Sequence, residues 1–217
     1  MKFPKHIAII PDGNRRWATK MGMDKSAGYS FGLSPAKQLL TLAKENKVEE
    51  ITFYGFTKDN CKRPINQLKA FSHACTQAVE LLQQEGGRLL VVGDTSDEFF
   101  PKELLPFSKE RVQLGSSSIK INFLVNYGWQ WDISGLANCS EEDIISDNVF
   151  AFLHSKDISR IDLVIRWGKM RRLSGLLPLQ SVYADFYVCD NLWPDFQESD
   201  FFDALKWYNK QDITLGG

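Results

Sequence analysis

A chain of 217 residues, 43% of them hydrophobic, is long enough to bury a sizeable core in one domain and too apolar to remain disordered. Its formal net charge of −1 excludes broad nucleic-acid binding, so a phosphate site must be a local cluster of cations. Cys61, Cys75, Cys139 and Cys189 lie far apart, as do His6, His73 and His154, which excludes a zinc motif or disulfide framework. No apolar run approaches a transmembrane length, and a soluble cytoplasmic protein is expected.

The first apolar run, residues 7–10, reads as a buried strand. It ends in Pro11-Asp12-Gly13-Asn14-Arg15-Arg16-Trp17-Ala18, where a tight turn gives way to a helix opening near Gly13 or Asn14. In open α/β sheets, ligands bind outside the C-terminal ends of the strands. A helix N-terminus there offers free N–H groups to a phosphate. Asp12 suits a divalent metal, and Arg15 or Arg16 suits phosphate oxygens. A strand, an aspartate cap and a solvated basic face account for the same residues.

Residues 21–30 read as a mobile, glycine-containing connection. Ser34-Pro35 then starts a helix, with serine as cap, and Leu39, Leu40, Leu42 and Ala43 give it an apolar face. A strand over 51–56 leads into the polar stretch 57–64. Residues 65–85 form a helix with Leu68, Phe71, Ala74, Cys75, Ala78, Val79 and Leu82 on one stripe, most simply a core face. A strand over 89–92 closes on Gly93-Asp94. Residues 97–115 read as helix, broken at Pro101 and Pro106.

A strand over 119–125 precedes Asn126-Tyr127-Gly128, after which Trp129 and Trp131 suit a pocket or the core equally. Ser140-Glu141-Glu142-Asp143 caps a helix running to about His154. After a strand over 163–165 come Arg166, Lys169, Arg171 and Arg172, with Ser174 close by; this is a solvated loop or a phosphate site. A sixth strand covers 186–188, and it and Trp193-Pro194 suit a subunit interface or the core. Six strands alternating with helices imply an α/β domain spanning 1–217, with a mainly parallel six-stranded sheet covered on both faces.

Five blocks resemble the cis-prenyltransferases, the undecaprenyl diphosphate synthase family. They are the Pro11 block above, Phe56-Thr57-Lys58-Asp59-Asn60-Cys61-Lys62-Arg63-Pro64, Asn126-Tyr127-Gly128 with Trp131-Asp132-Ile133, Asp162-Leu163-Val164-Ile165-Arg166, and Leu192-Trp193-Pro194-Asp195-Phe196. They keep the family's order across almost the whole chain. The resemblance implies that family's fold, with an apolar substrate tunnel, and a homodimer. It implies Mg²⁺-dependent joining of an allylic diphosphate to isopentenyl diphosphate with release of pyrophosphate. By matching position, Asp12 is a metal ligand, and Asp185, in place of a glutamate, helps complete the metal site. Gly13, Asn14, Arg15, Arg16 and Trp17 surround the allylic diphosphate with Tyr29 and Arg63. Asn14, Thr57 and Asn60 join Asp12 as catalytic residues, the last two handling the proton lost from the second substrate. Arg166, Arg172 and Ser174 hold that substrate's diphosphate.

Departures from the family pattern gather in the sites. Tyr29 replaces a histidine, Thr57 a serine, Cys61 a tryptophan and Gln67 a glutamate; Trp129-Gln130 replaces glycine-arginine. Trp167, Lys169, Met170 and Arg171 rewrite the loop after Arg166, and Gly175-Leu176 follows Ser174. The ending Thr214-Leu215-Gly216-Gly217 lacks the arginine with which the family's tail reaches the partner subunit. Residues 63–93 and 133–161 are shorter than in the long-chain members, which predicts a short tunnel and a short product. Two outcomes fit: ordinary short-chain cis condensation, or irregular head-to-middle coupling of two dimethylallyl diphosphates to lavandulyl-type products, with or without cyclisation. A third is a non-catalytic partner subunit of a heteromeric synthase, although such subunits tend to lose the residues retained here as Asp12, Arg166 and Arg172.

Overall fold

A computed structural model describes residues 3–145 and 148–212. Among the described residues, seven strands form one sheet in the order β4-β3-β5-β2-β1-β6-β7. In chain order they are β1 (His6–Ile10), β2 (Glu50–Tyr54), β3 (Gly87–Val92), β4 (Val112–Leu114), β5 (Lys120–Leu124), β6 (Leu163–Arg166) and β7 (Asp185–Val188). All six expected strands are present, and they run parallel to one another. The seventh, β4, is a short antiparallel edge on β3, pairing Leu89 with Val112.

The helices are α1 (Asn14–Lys20), α2 (Gly28–Phe31), α3 (Leu33–Glu45), α4 (Ile65–Glu85), α5 (Trp129–Ser134), α6 (Glu141–Ile145) and α7 (Glu198–Tyr208). Alternation along each strand splits the core into two layers. Ile7, Ile9, Phe53, Phe123 and Ile165 pack with Leu39 of α3, Val79 of α4 and Phe201 of α7. Ala8, Ile10, Tyr54, Leu124 and Val164 pack on the other face with Ile158, Leu176 and Leu177. Because both faces are covered, every residue of β1 and β2 is buried. Among the described residues, no helix is long and apolar enough to cross a membrane.

Local expectations fail where short-range signals compete. Residues 97–115 hold no long helix: a 3-10 turn spans Lys102–Phe107, and β4 follows. Pro106 removes a backbone donor, and the edge of β3 supplies partners instead. α3 starts at Leu33 behind Gly32, and Ser34 lies inside it without capping it. Residues 21–30 are tied by turns, with Met23 N–H donating to the Ala18 carbonyl at 2.9 Å, and include the start of α2. The Ser140–Asp143 capping pair exists, its Asp143 N–H donating to Ser140 Oγ at 3.1 Å, but the helix does not run to His154: α6 is described over Glu141–Ile145, and a 3-10 turn spans Asn148–Phe152. The tail at Thr214 lies outside the described residues.

A buried polar chain ties the sheet together at the N-terminal ends of its strands. Thr52 Oγ1 donates to His6 Nε2 at 2.7 Å and accepts from Asn122, which also donates to Glu50 at 2.7 Å. Ser159 Oγ donates to the second Glu50 oxygen at 2.8 Å. Burial holds the His6 imidazole below its ordinary value of 6.5, against the pull of Glu50. Burial pushes the Glu50 carboxyl up, but His6, Asn122 and Ser159 together hold it below 4.5. The unfolded chain therefore takes up a proton at His6 that the native state refuses. Stability falls as the pH drops through about 6.5, and Glu50 adds a second loss below 4.5. Urea unfolding midpoints will decline across the first window, and His6→Gln will flatten that decline. An undiminished slope in the variant would exclude His6 as its source.

Candidate active site

β2 lies on one side of β1 and β6 on the other, so the end of β1 is a switch point of the sheet. Crevices of open α/β sheets form at such points. Ile10 and Arg166 are register partners there, and the chain beyond β1 delivers Asp12 and Gly13. Gly13 precedes α1 with φ 115°, and an added Cβ would lie 3.1 Å from the Leu192 backbone. Only glycine meets both demands. α1 then presents Asn14, Arg15 and Arg16.

These groups wall a cavity of about 690 Å³. Arg166 is buried in its floor; it donates to Asp12 Oδ2 at 2.7 Å, to Ser174 Oγ at 2.9 Å and to the Arg172 carbonyl. Arg16 reaches the other Asp12 oxygen at 3.2 Å and the Gly168 carbonyl at 2.9 Å. Gly168 leaves room for that guanidinium, which would stand 2.3 Å from an added Cβ. Arg15 donates to Gln67 at 3.2 Å, and Arg63 donates to the Tyr29 hydroxyl at 2.9 Å. Burial presses the Arg63 guanidinium below its ordinary value, with Tyr29 opposing the effect and Arg15 adding to it. Arg172, Thr57 and Asn60 complete this part of the wall. Five arginines around Asp12 make the cavity a receptor for multiply charged anions, with planar forks suited to phosphate oxygens.

A second, apolar cavity of about 100 Å³ adjoins it, sharing Pro11, Asn14, Gly55 and Phe71 as walls. Leu33, Ala36, Phe53, Ala74, Cys75 and Leu82 line the rest. The α4 stripe thus serves two ends: Leu68 and Val79 fill the core, while Phe71, Ala74 and Ala78 face the cavity. The two adjoining spaces suit one molecule with an anionic head and a hydrocarbon tail.

Two expected site residues are not brought in. Trp17 lies outside the cavity walls; its indole donates to Asp195 at 2.7 Å and packs on Phe31. Asp185 begins β7 beside Leu163, at the far end of the sheet from the Arg166–Val188 pair, so this chain does not carry it to Asp12. Among the described residues, no group of three His, Cys, Asp or Glu side chains forms a metal cage. Asp12 with diphosphate oxygens nevertheless fits Mg²⁺, which takes one or two carboxylates plus substrate phosphates.

The rewritten loop after Arg166 is anchored inwards. Trp167 is fully buried and donates to Asp200 at 3.1 Å, while Met170 lines the cavity. Lys169 and Arg171 are exposed and lie outside the wall. Trp129 packs against Gly175 and Trp131 stacks on His154 at 4.3 Å; neither lines the cavity. Sequence reasoning passed over Thr19, Lys25 and Tyr54, which do line it. Tyr54 is the last residue of β2, a position that flags it; burial pushes its phenol up, so it stays protonated and donates to the Ser174 carbonyl at 2.8 Å. Lys25 sits in a turn with no local signal.

Comparison with known proteins gives one family. The family described as "Putative undecaprenyl diphosphate synthase" matches residues 10–216. The ditrans,polycis-undecaprenyl-diphosphate synthase ((2E,6E)-farnesyl-diphosphate specific) of Escherichia coli K12 is 33% identical, over 98% of this chain and 90% of the relative. The enzyme of the same name from Vibrio vulnificus YJ016 is 30% identical with the same coverage. In fold, the chain matches the crystal structure of lavandulyl diphosphate synthase from Lavandula x intermedia in complex with dimethylallyl diphosphate, with a TM-score of 0.85 over 99% of both chains and 23% identity.

Proposed function

The chain belongs to the undecaprenyl diphosphate synthase family of cis-prenyltransferases, and from that premise we propose that it condenses five-carbon isoprenoid diphosphates to a short prenyl diphosphate and pyrophosphate. The substrates in this reading are dimethylallyl diphosphate and either isopentenyl diphosphate or a second dimethylallyl diphosphate. The observation that carries it is the apolar cavity of about 100 Å³ beside the arginine-lined one. A dry protein cavity of ~150 Å³ takes benzene, so this one is on the scale of a single five-carbon unit.

Asp12 would hold Mg²⁺ together with the allylic diphosphate, and the ion would supply neutralisation of the leaving group's charge. Arg15, Arg16 and Arg63 orient that diphosphate and stabilise charge growing on it as the carbon–oxygen bond breaks. Phe71, Ala74 and Cys75 keep water from the electrophilic allyl carbon. Arg166, Arg172 and Ser174 take the diphosphate of the second substrate, and that substrate's double bond attacks the allylic carbon as pyrophosphate leaves it. Thr57 and Asn60, on the same wall, support transfer of the proton lost afterwards. The same reading carries a cytoplasmic homodimer.

Head-to-middle coupling is the second reading, and one observation favours it. Met170, from the loop that departs from the family pattern, lines the cavity beside Arg166 and Arg172, so the rebuilt part of the site is its second-substrate end. The two readings separate in a product assay with Mg²⁺ and dimethylallyl diphosphate, with and without isopentenyl diphosphate, followed by dephosphorylation and identification of the alcohols. Product only with both substrates is expected for cis condensation, and its carbon number tests the cavity argument. Product from dimethylallyl diphosphate alone selects the head-to-middle reading. A long-chain product would overturn the proposal.

A further inference from the structure

Lys58 sits in the motif that presents Thr57, Asn60 and Arg63, yet it does not line the cavity. Its ammonium points instead to the loop after β3, 2.5 Å from Asp94 Oδ2 and 3.6 Å from Asp97. Its stem crosses Gly128, where an added Cβ would lie 3.1 Å from Lys58 Cδ.

Among the described residues, the Lys58 pairs are the ion pairs that tie this turn to another element, since the Lys62–Asp59 pair stays within it. Residues 58–62 form a 3-10 turn with no buried side chain and no side-chain cap. Short 3-10 turns have strained hydrogen-bond geometry and need outside support. Backbone bonds hold its start, with Lys58 N–H donating to the Tyr127 carbonyl at 2.9 Å. Beyond that point come packing of Cys61 on the core, its weak thiol bond to Asn126 at 3.4 Å, the Arg63 bond to Tyr29 at the far end and the Lys58 ion pairs. Asp94 is itself fixed: its other oxygen accepts from the Ser96 hydroxyl at 2.6 Å and the Ser96 N–H at 3.1 Å. The Asn126 side-chain amide donates to the Asp94 carbonyl at 3.2 Å. The acceptor is therefore rigid, and the lysine is the movable partner.

We infer that Lys58 is a positioning residue: its pairing with Asp94 and Asp97 sets where the 58–62 turn holds Thr57, Asn60 and Arg63 against the cavity. The inference rests on the function proposed above for those three residues. The lysine is partly exposed, so the pair adds little to global stability. Its effect is on geometry, where a shift on the order of 1 Å is expensive for catalysis.

The test measures kcat, KM, thermal midpoint and amide hydrogen exchange for K58M, D94N, the double variant and K58R. K58M should lower kcat about tenfold, shift KM less than about threefold and leave the midpoint nearly unchanged. D94N should behave alike, the double variant should be no worse than K58M alone, and K58R should recover about half of the lost rate. Exchange over residues 57–63 should quicken in K58M while the strands stay protected. K62M, which removes a lysine paired only to the exposed Asp59 on the same turn, should behave as wild type. A kcat within about twofold of wild type, a loss carried by KM, or losses that multiply in the double variant would overturn the inference. If K58M does not fold, D94N decides by the same criteria. If the wild-type enzyme turns over none of the proposed substrates, the functional reading fails, and unchanged exchange at 57–63 would separately sink the role of Lys58.

Discussion

Asp12→Ala will lower turnover roughly a thousandfold or more, about 4 kcal/mol of transition-state stabilisation. Asp12 is the carboxylate at the centre of the arginine-lined cavity, bonded to Arg166 at 2.7 Å and Arg16 at 3.2 Å. Among the described residues the other carboxylate on the cavity wall, Asp59, is exposed and paired with Lys62, whereas Asp12 is the one bonded among the guanidinium groups. The variant also strands Arg166, which is 5% exposed, though the open side of the Asp12 position lets water restore part of the loss. Asp12→Asn separates the two effects. It keeps an oxygen for Arg166 to donate to but removes the charge, so its thermal midpoint should stay near wild type while turnover collapses. Retention of a tenth or more of the wild-type rate by Asp12→Ala would remove the proposed mechanism.

Gly28→Ala will also lower turnover, by a different route. A Cβ there would lie 2.1 Å from the Asn14 carbonyl oxygen and 3.2 Å from the Ala18 side chain. The conflict is with the first turn of α1, the element that carries Arg15 and Arg16. Backbone cannot rotate out of the way as a long side chain can. Overpacking of this kind costs up to about 3 kcal/mol, and α1 must shift to relieve it. The expectation is a lower urea midpoint together with at least a tenfold loss of kcat under conditions where the variant remains folded. Gly22→Ala provides the contrast, because nothing lies within 4 Å of its added Cβ. Its φ of +70° costs about 1 kcal/mol and should leave turnover intact. Equal kinetic damage in both variants would refute the packing argument.

The sheet was legible because its strands are short, continuous apolar runs, the signature of strands covered on both faces. β4 was not, since Val112–Leu114 is three residues long, only half-buried and defined by its partner rather than by its own pattern. The helix starts at Leu33 and Glu141 show the same limit from two sides. Ser140 caps as its spacing implies, whereas Ser34 is overridden by the packing of Gly32 against Asn14 and Trp193. Most of the site was legible for a topological reason: Asp12 and Thr57 follow strand ends, Arg166 is the last residue of β6, and parallel strands bring those ends to one edge. Lys25 and Asp185 mark where that logic stops. Lys25 arrives through turns whose path no local residue pattern fixes. Asp185 begins its strand instead of ending it, so it points to the wrong end of the sheet.

The pairing of Ile7 with both Ile51 and Leu163 has a consequence for synthesis of the protein. β1 emerges from the ribosome first, but its second neighbour is made more than a hundred residues later. At ordinary translation rates of 5–20 residues per second, that leaves a largely apolar strand with one open edge for roughly 5–20 s. An edge of this composition invites pairing with other chains. Arg166 also arrives with β6, so the Asp12 ion pair closes in the same event that covers the edge. Nascent chains will therefore depend on chaperone shielding until residue 166 is free of the exit tunnel, and recovered activity will be the last signal to return on refolding.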